Sequence, residues 1–281
     1  MMQFKTAAAG VVAVATLLAA GMPEAVAAEA DSEFNLVLTQ RAWRATWDQA
    51  LNDLQVTGFD PATGRPSVSA GYRKNVSTRT IPITALGARY GRWTASVARF
   101  ARQQFDGNES YIEPTVSRDE TDLSVGYQVL PGLSLAVIRK SGSTSLTQTR
   151  ATSELTGGDG PVKLRAHLVG LSVSAPLSDA LLVYGNLAYG TGKVIDPAGQ
   201  FETLKARYTL SELGLAYRHG LPRAVAGIQA VTVQAGYRTQ VLSYPGLVPS
   251  DFAGLDLQYS ITPSKARSVT DGFVIGISLI F

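Results

Sequence analysis

The sequence predicts an all-β chain that forms an antiparallel, up-and-down β-barrel of about ten strands spanning a membrane. Two observations carry this prediction. Large apolar residues alternate with small or polar ones in many segments, at the period of two that a strand requires. The connections between these segments are short turns and long polar loops in regular alternation. A membrane barrel needs both features, because each of its strands faces lipid on one side and a polar interior on the other.

The N-terminus has the composition of a secretory signal, and we expect residues 1–28 to be a signal peptide. Lys5 supplies a positive charge, residues 7–20 form an uncharged apolar run, and residues 25–28 are small enough for cleavage. The apolar run is shorter than the roughly 20 residues that a membrane-spanning helix needs. The chain is therefore predicted to be exported without a helical anchor.

Residues 29–79 are predicted to hold the first strand, and two positions for it remain open. One is Asn35 to Trp47, followed by a long loop. The other is Pro66 to Lys74. In that case Trp43, Trp47, Leu51 and Leu54 have the spacing of a short amphipathic helix, which could plug the lumen or lie under the barrel. Either choice gives an even strand number, which two termini on the same side of the membrane require.

Residues 80–281 are predicted to supply the remainder of the barrel. Pro82 interrupts the first of these strands and indicates a bulge or a lightly paired edge there. The turns between paired segments are short, whereas residues 103–118, 143–163, 192–202 and 243–266 form long connections. The predicted strands are 80–90, 93–101, 121–129, 133–139, 164–175, 181–191, 204–217 and 227–241, and a last strand that ends at Phe281.

The last strand carries the most specific pattern in the sequence. Phe273, Ile275, Ile277, Leu279 and Phe281 alternate with mostly small residues, and the chain ends on an aromatic ring. This segment resembles the C-terminal strand of bacterial outer-membrane β-barrel proteins, a family that includes ten-stranded members. The resemblance implies location in the outer membrane, periplasmic termini, and recognition of this strand by the barrel-assembly machinery.

The inner face of the predicted barrel carries several polar and charged residues. A barrel of ten strands has a narrow interior, so we expect such groups to bond to one another, with ion or solute selectivity as a less favoured role. The candidates for lining the lumen are Asp122, Gln128, Glu212, Gln234 and Arg238.

Basic residues collect near the strand ends that adjoin the long loops. Arg and Lys at headgroup level can form charge-assisted bonds to lipopolysaccharide phosphates, which the outer-membrane resemblance places there. The lipopolysaccharide-contact candidates are Arg139, Lys140, Arg165, His167, Lys205, Arg207 and Arg267. A lumen-facing, anion-attracting mouth is the second interpretation of the same residues, with Arg238 as its best candidate.

Catalysis is not expected from this sequence. There is no cysteine, and Ser172 and Ser174 have the opposite strand parity from His167, so no general base lies beside a nucleophile. The sequence offers no specific site for a metal or cofactor, and its charges are too scattered to indicate nucleic-acid binding. We therefore expect a non-enzymatic barrel, either a narrow porin-like channel for small solutes or a structural barrel. A surface protein whose long loops bind a partner is the main alternative, and an outer-membrane hydrolase is a less favoured one.

Overall fold

The computed structural model describes residues 34–50, 55–59, 66–69, 74–106, 115–147, 161–195, 203–245, 260–262 and 265–281. These residues contain thirteen strands. Their bounds are β1 Phe34–Ala50, β2 Gln55–Phe59, β3 Pro66–Ser69, β4 Lys74–Tyr90, β5 Trp93–Asp106, β6 Thr115–Leu130, β7 Leu133–Thr147, β8 Val162–Pro176, β9 Leu181–Ile195, β10 Leu204–Val225, β11 Ile228–Pro245, β12 Ser260–Thr262 and β13 Lys265–Ile280.

Ten of the strands form one closed antiparallel barrel in the order β1-β13-β11-β10-β9-β8-β7-β6-β5-β4. Closure joins the first strand to the last, because the backbone N–H and C=O of Phe281 exchange hydrogen bonds with those of Leu36 at 2.8 and 3.2 Å. The predicted fold class, an antiparallel barrel of about ten strands, is confirmed. No helix in the described part of the chain is long and apolar enough to cross a membrane.

The first barrel strand is the earlier of the two predicted positions. β1 spans Phe34–Ala50, and Trp43 and Trp47 both point inward from it. Trp43 and Trp47 are therefore not part of a helix, and the alternative prediction is wrong for them. Leu51 and Leu54 lie outside the described residues, as does the predicted signal peptide. The segment Pro66–Ser69 belongs to a separate three-stranded sheet, β12-β2-β3.

The two ends of the barrel differ in their connections. At one end, which we call the turn end, neighbouring strands join through tight turns at Gly91-Arg92, Pro131-Gly132, residues 177–180 and Ala226-Gly227, and the chain's last residue lies there. Gly91, Gly132 and Gly227 all adopt positive φ, which these turns require. The opposite, loop end carries the long connections. β10 continues to Val225, beyond residue 217 where its predicted strand ends, so His219 lies within a strand.

One seam of the barrel is shorter than the others. β4 pairs with β1 along nearly its whole length but with β5 only from Ile83 to Tyr90. Pro82 is the first residue beyond the end of the pairing with β5, and β5 has a register irregularity between Phe100 and Gln103 in its pairing with β6. Because proline has no N–H to donate, its position at the limit of a ladder agrees with the predicted lightly paired edge.

The outer surface is apolar in a band next to the turn end. The outward side chains of Phe273 and Ile275 are 70% and 61% exposed. Residues 273–281 span eight steps of about 3.4 Å, which at a strand tilt of about 40° gives a band roughly 20 Å tall. Beyond this band the outward residues become polar, for example at Arg139 after Val137 and at His167 before Val169. An exposed apolar band of this height around a closed barrel is typical of the surface of a membrane-spanning barrel.

Candidate functional site

The barrel interior is the candidate functional site, and its first component is a cluster around Glu212. Glu212 on β10 and Arg238 on β11 lie directly opposite each other, and Arg238 Nη1 is 3.1 Å from Glu212 Oε2. Arg41 on β1 forms a second ion pair with Oε1, which also accepts a hydrogen bond from Tyr184 Oη at 2.9 Å. The side chains of Glu212 and both arginines are fully buried. One carboxylate thus holds together four strands, β1, β9, β10 and β11.

Glycines make room for this cluster. A Cβ atom at Gly214 would lie 2.6 Å from Tyr184 Oη, and one at Gly236 would lie 2.8 Å from it. At Gly276, a Cβ atom would come within 2.6 Å of Arg41 Cγ. These distances are shorter than carbon contacts allow, so large inward side chains lie directly over backbone that only glycine leaves open. The glycines on the inner face thus provide the space that the long inward side chains occupy.

A second cluster surrounds Lys140. Its ammonium group lies 2.8 Å from Glu120 Oε2 and 2.9 Å from Asp122 Oδ2. Glu120 also pairs with Arg118, whose guanidinium donates to Thr270 Oγ1 on β13 at 2.7 Å and to Gln240 Oε1 on β11 at 3.2 Å. In the barrel, β6 lies four strands from β13 in one direction. Arg118 therefore reaches across the interior and connects opposite walls.

Aromatic rings fill the space between the two clusters. Arg238 Cζ lies 5.4 Å from the centre of the Trp43 ring and 5.2 Å from that of Phe100. Lys140 Nζ lies 4.9 Å from the centre of the Phe100 ring and 5.3 Å from that of Tyr208. Phe100 thus contacts a cation from each cluster, a geometry in which the ring quadrupole stabilises desolvated charge. We call Trp43, Phe100 and Tyr208 the aromatic layer.

A further aromatic contact lies nearer the loop end. Trp47 packs edge-on against Phe105 with 5.2 Å between ring centres, and Arg118 Cζ lies 5.2 Å from the Trp47 ring. Both rings are almost completely buried. Strand side chains therefore fill the described interior at several successive points along its axis, and each of the cations Arg41, Arg118, Lys140 and Arg238 pairs with a carboxylate.

The structure places four of the five predicted lumen residues deep inside. Asp122, Glu212, Gln234 and Arg238 are at most 3% exposed, and Asp122, Glu212 and Arg238 belong to the two clusters. Gln128 lies near the turn end, half-buried, and accepts a bond from Arg89 Nη2 at 3.2 Å. A role for any of them in selectivity stays a prediction.

The prediction that Lys140 contacts lipopolysaccharide outside the barrel is wrong. Its side chain is fully buried within the lumen. The reason is the strand period: Arg139 follows the outward Val137, so the next residue must point inward. The other candidates, Arg139, Arg165, His167, Lys205, Arg207 and Arg267, are exposed on the outer face, and their contact with lipopolysaccharide stays a prediction.

Several interior residues were not found from the sequence. Glu120 shares the parity of Asp122, but it precedes the predicted start of its strand. Arg41 shares the parity of Trp43 and would have been found if β1 had been fixed. In the terminal strand, Phe273, Ile275 and Ile277 face outward and are exposed, while Leu279 and Phe281 are half-buried. Their recognition by an assembly machinery stays a prediction.

The described residues include no group of three or more His, Asp or Glu side chains arranged to hold a metal ion. His167 lies on the outer face with Arg139 and Thr191 as its cross-strand neighbours, whereas Ser172 points inward and donates to Asn186 at 2.7 Å. The predicted separation of His167 from this serine therefore holds in the structure. The other histidine of the chain, His219, is exposed near the turn end.

Comparison with known proteins finds similarity in architecture only. No family model and no curated protein match the chain. Among solved structures, the outer membrane protease OmpT from Escherichia coli aligns with a TM-score of 0.46 at 11% identity, covering 88% of this chain and 97% of that chain. A Pseudomonas aeruginosa FadL homologue has a TM-score of 0.38 at 9% identity, covering 89% of this chain and 90% of that chain. The translocator domain of the autotransporter NalP from Neisseria meningitidis has a TM-score of 0.37 at 12% identity, with coverages of 89% and 90%.

The architecture is that of bacterial outer-membrane β-barrels. This conclusion rests on the closed barrel of ten antiparallel strands, its apolar outer band and its interior of buried charged and aromatic side chains. It confirms the resemblance that the terminal strand indicated, and it assigns no subfamily.

Proposed function

We propose that this protein is a non-enzymatic structural barrel of the bacterial outer membrane, exported by its N-terminal signal, with a lumen closed to solutes. Short turns and both termini face the periplasm, and the long connections face outward, as in other barrels of this architecture. The proposal favours the structural barrel over the narrow channel, the two forms that the sequence left open. The C-terminal strand that ends at Phe281 is the segment offered to the barrel-assembly machinery.

The observation that carries the proposal is the filled interior. The aromatic layer and the two charged clusters are built from barrel strands. Within the described residues the lumen is therefore filled by the barrel walls themselves, and not by a separate segment that could move out. Removing one partner of a buried ion pair costs about 3–5 kcal/mol, which opposes spontaneous opening of a path between the clusters. A barrel held in this way supports the outer connections, through which binding of an extracellular or envelope protein is the alternative role.

Planar-bilayer conductance of the refolded full-length protein tests the closed lumen. We expect no unit steps from the wild type and measurable steps from the Trp43→Ala/Phe100→Ala double variant, because those rings lie 6.4 Å apart in the interior. The matched control is Tyr237→Ala/Phe273→Ala, which removes an outward-facing pair of rings 5.2 Å apart and should stay silent. Regular unit steps of conductance from the wild type would contradict the structural barrel and support the narrow channel.

A further inference from the structure

Cations on the outer face of four neighbouring strands form two rows beyond the apolar band. In the first row Arg165 on β8, Lys193 on β9 and Lys205 on β10 are directly opposite one another. All three side chains are exposed on the outer face. Residues paired in this way have Cβ atoms about 4.5–5.5 Å apart, and like charges at that distance destabilise a sheet.

The second row lies two residues along each strand closer to the apolar band. It runs from Arg139 on β7 through His167 on β8 and Thr191 on β9 to Arg207 on β10, again with each residue opposite the next. All of these side chains are exposed on the outer face. We call the residues Arg139, Arg165, Lys193, Lys205 and Arg207 the cation rows.

No acidic side chain balances the cation rows within the described residues. β7 to β10 contain one acidic residue, Glu212, and it points into the lumen. None of the five cations forms an ion pair with a carboxylate of the described part of the chain. On a different wall, by contrast, the outward Arg99 pairs with Asp119 at 2.8 Å. The repulsion within the cation rows therefore calls for an anion from outside the barrel strands.

The position of the rows restricts what that anion can be. Val137, Val169 and Tyr189 are exposed on the same strands, directly on the turn-end side of the rows. A ligand lying along this wall thus meets an apolar surface at one end and five positive charges at the other. That pattern fits an amphiphile with acyl chains and more than one phosphate, because Arg and Lys form strong charge-assisted bonds to phosphate oxygens.

We propose that the outer wall of β7 to β10 is a binding site for one multiply phosphorylated glycolipid of the outer leaflet, such as lipopolysaccharide. The proposal rests on the outer-membrane location proposed above. It narrows the predicted lipopolysaccharide contact from a belt around the barrel to one wall, adds Lys193, and leaves out Arg267, whose neighbours in its row are Ser243 and Ala50.

Binding of purified lipopolysaccharide to the full-length barrel in zwitterionic detergent tests the site. The test variant is Arg165→Gln/Lys193→Gln/Lys205→Gln, and the matched control is Arg44→Gln/Arg99→Gln/Arg267→Gln, which removes three outward charges elsewhere on the barrel. At physiological salt we expect the test variant to weaken binding at least about tenfold, because it removes three of the five positive charges that would contact the phosphates. The control should change binding by less than about threefold, because it leaves the rows intact.

Three outcomes would overturn the proposal: equal weakening in both variants, no weakening in either, or variant-sensitive binding of inorganic phosphate as tight as that of lipopolysaccharide. The last would identify free phosphate as the ligand. Folding is followed in every sample by resistance of the barrel to unfolding in cold detergent, and the single variant Lys193→Gln replaces the triple one if that fails to fold. If the lumen were open, the wild type would conduct in planar bilayers. That result would contradict the closed lumen and would not affect the measured binding of lipopolysaccharide.

Discussion

The barrel interior and the outer wall of β7 to β10 hold the same kinds of cation in opposite electrostatic situations. Inside, Arg41 and Arg238 share Glu212, and Lys140 lies between Glu120 and Asp122. Outside, the cation rows have no carboxylate of the described chain beside them. Buried charge must be neutralised within the protein because its desolvation costs several kcal/mol per ion, whereas exposed charge can take its counter-ion from the surroundings.

The difference separates two uses of charge. The interior clusters connect strands that are far apart around the barrel, so they favour one closed arrangement of the walls. The cation rows connect nothing, and their mutual repulsion is a small cost that binding of an external anion removes. Charge in the interior is thus used up in pairing between strands, and charge on this outer wall is available for a ligand.

The largest expected effect comes from removing the shared carboxylate. Glu212→Gln leaves Arg41 and Arg238 buried without their counter-charge and should lower the free energy of unfolding by about 3–5 kcal/mol. The matched control is Asp119→Asn, whose partner Arg99 is 57% exposed, and its cost should stay below about 1 kcal/mol. Denaturant titration of both variants in lipid vesicles measures the difference. Equal losses would show that burial does not distinguish the two ion pairs.

A smaller effect is expected where a glycine admits a large side chain. In Gly214→Ala, the new methyl would lie 2.4 Å from the Ala235 carbonyl oxygen and 2.6 Å from Tyr184 Oη. Such overpacking costs about 1–3 kcal/mol of unfolding free energy. Gly220→Ala is the control, because no atom of another part of the protein lies within 4 Å of its Cβ position. The same titration compares them, and a neutral Gly214→Ala would mean that the Tyr184 ring is not fixed over the glycine.

The smallest expected effect lies in the cation rows. Lys193→Glu places a carboxylate between Arg165 and Lys205, which converts two repulsive cross-strand pairs into attractive ones. Without glycolipid, the variant should gain about 0.2–1 kcal/mol in unfolding free energy at low salt, and the gain should shrink as salt is added. Destabilisation at low salt would show that a carboxylate outside the described residues already balances the row.

The sequence predicted the barrel well because the deciding signal is local. Alternation with a period of two and the spacing of turns depend only on neighbouring residues, and they gave the strand number and the facing of Asp122 and Arg238. The first strand was ambiguous for a physical reason: Trp43 and Trp47 are four residues apart, a spacing that places them on one face of either a strand or a helix.

The pairing inside the lumen could not be predicted in the same way. Which carboxylate meets which cation depends on stagger between distant strands, as in Arg41 on β1 with Glu212 on β10. The wrong prediction for Lys140 has a different cause. The alternation of the strand places Lys140 inside the barrel, but the concentration of basic residues at the strand ends, Arg139 among them, favoured contact with lipopolysaccharide for both residues.

Side-specific labelling of single cysteines tests the closed lumen most directly, and the chain has no native cysteine to interfere. Gln128 is half-buried near the turn end, and Gln103 is half-buried towards the loop end. The two variants are Gln128→Cys and Gln103→Cys. In sealed vesicles with the barrel in one orientation, a small charged thiol reagent added on the loop side should label Gln103→Cys and leave Gln128→Cys unlabelled. Labelling of both positions from the loop side at similar rates would contradict a lumen closed by the aromatic layer and its flanking charges.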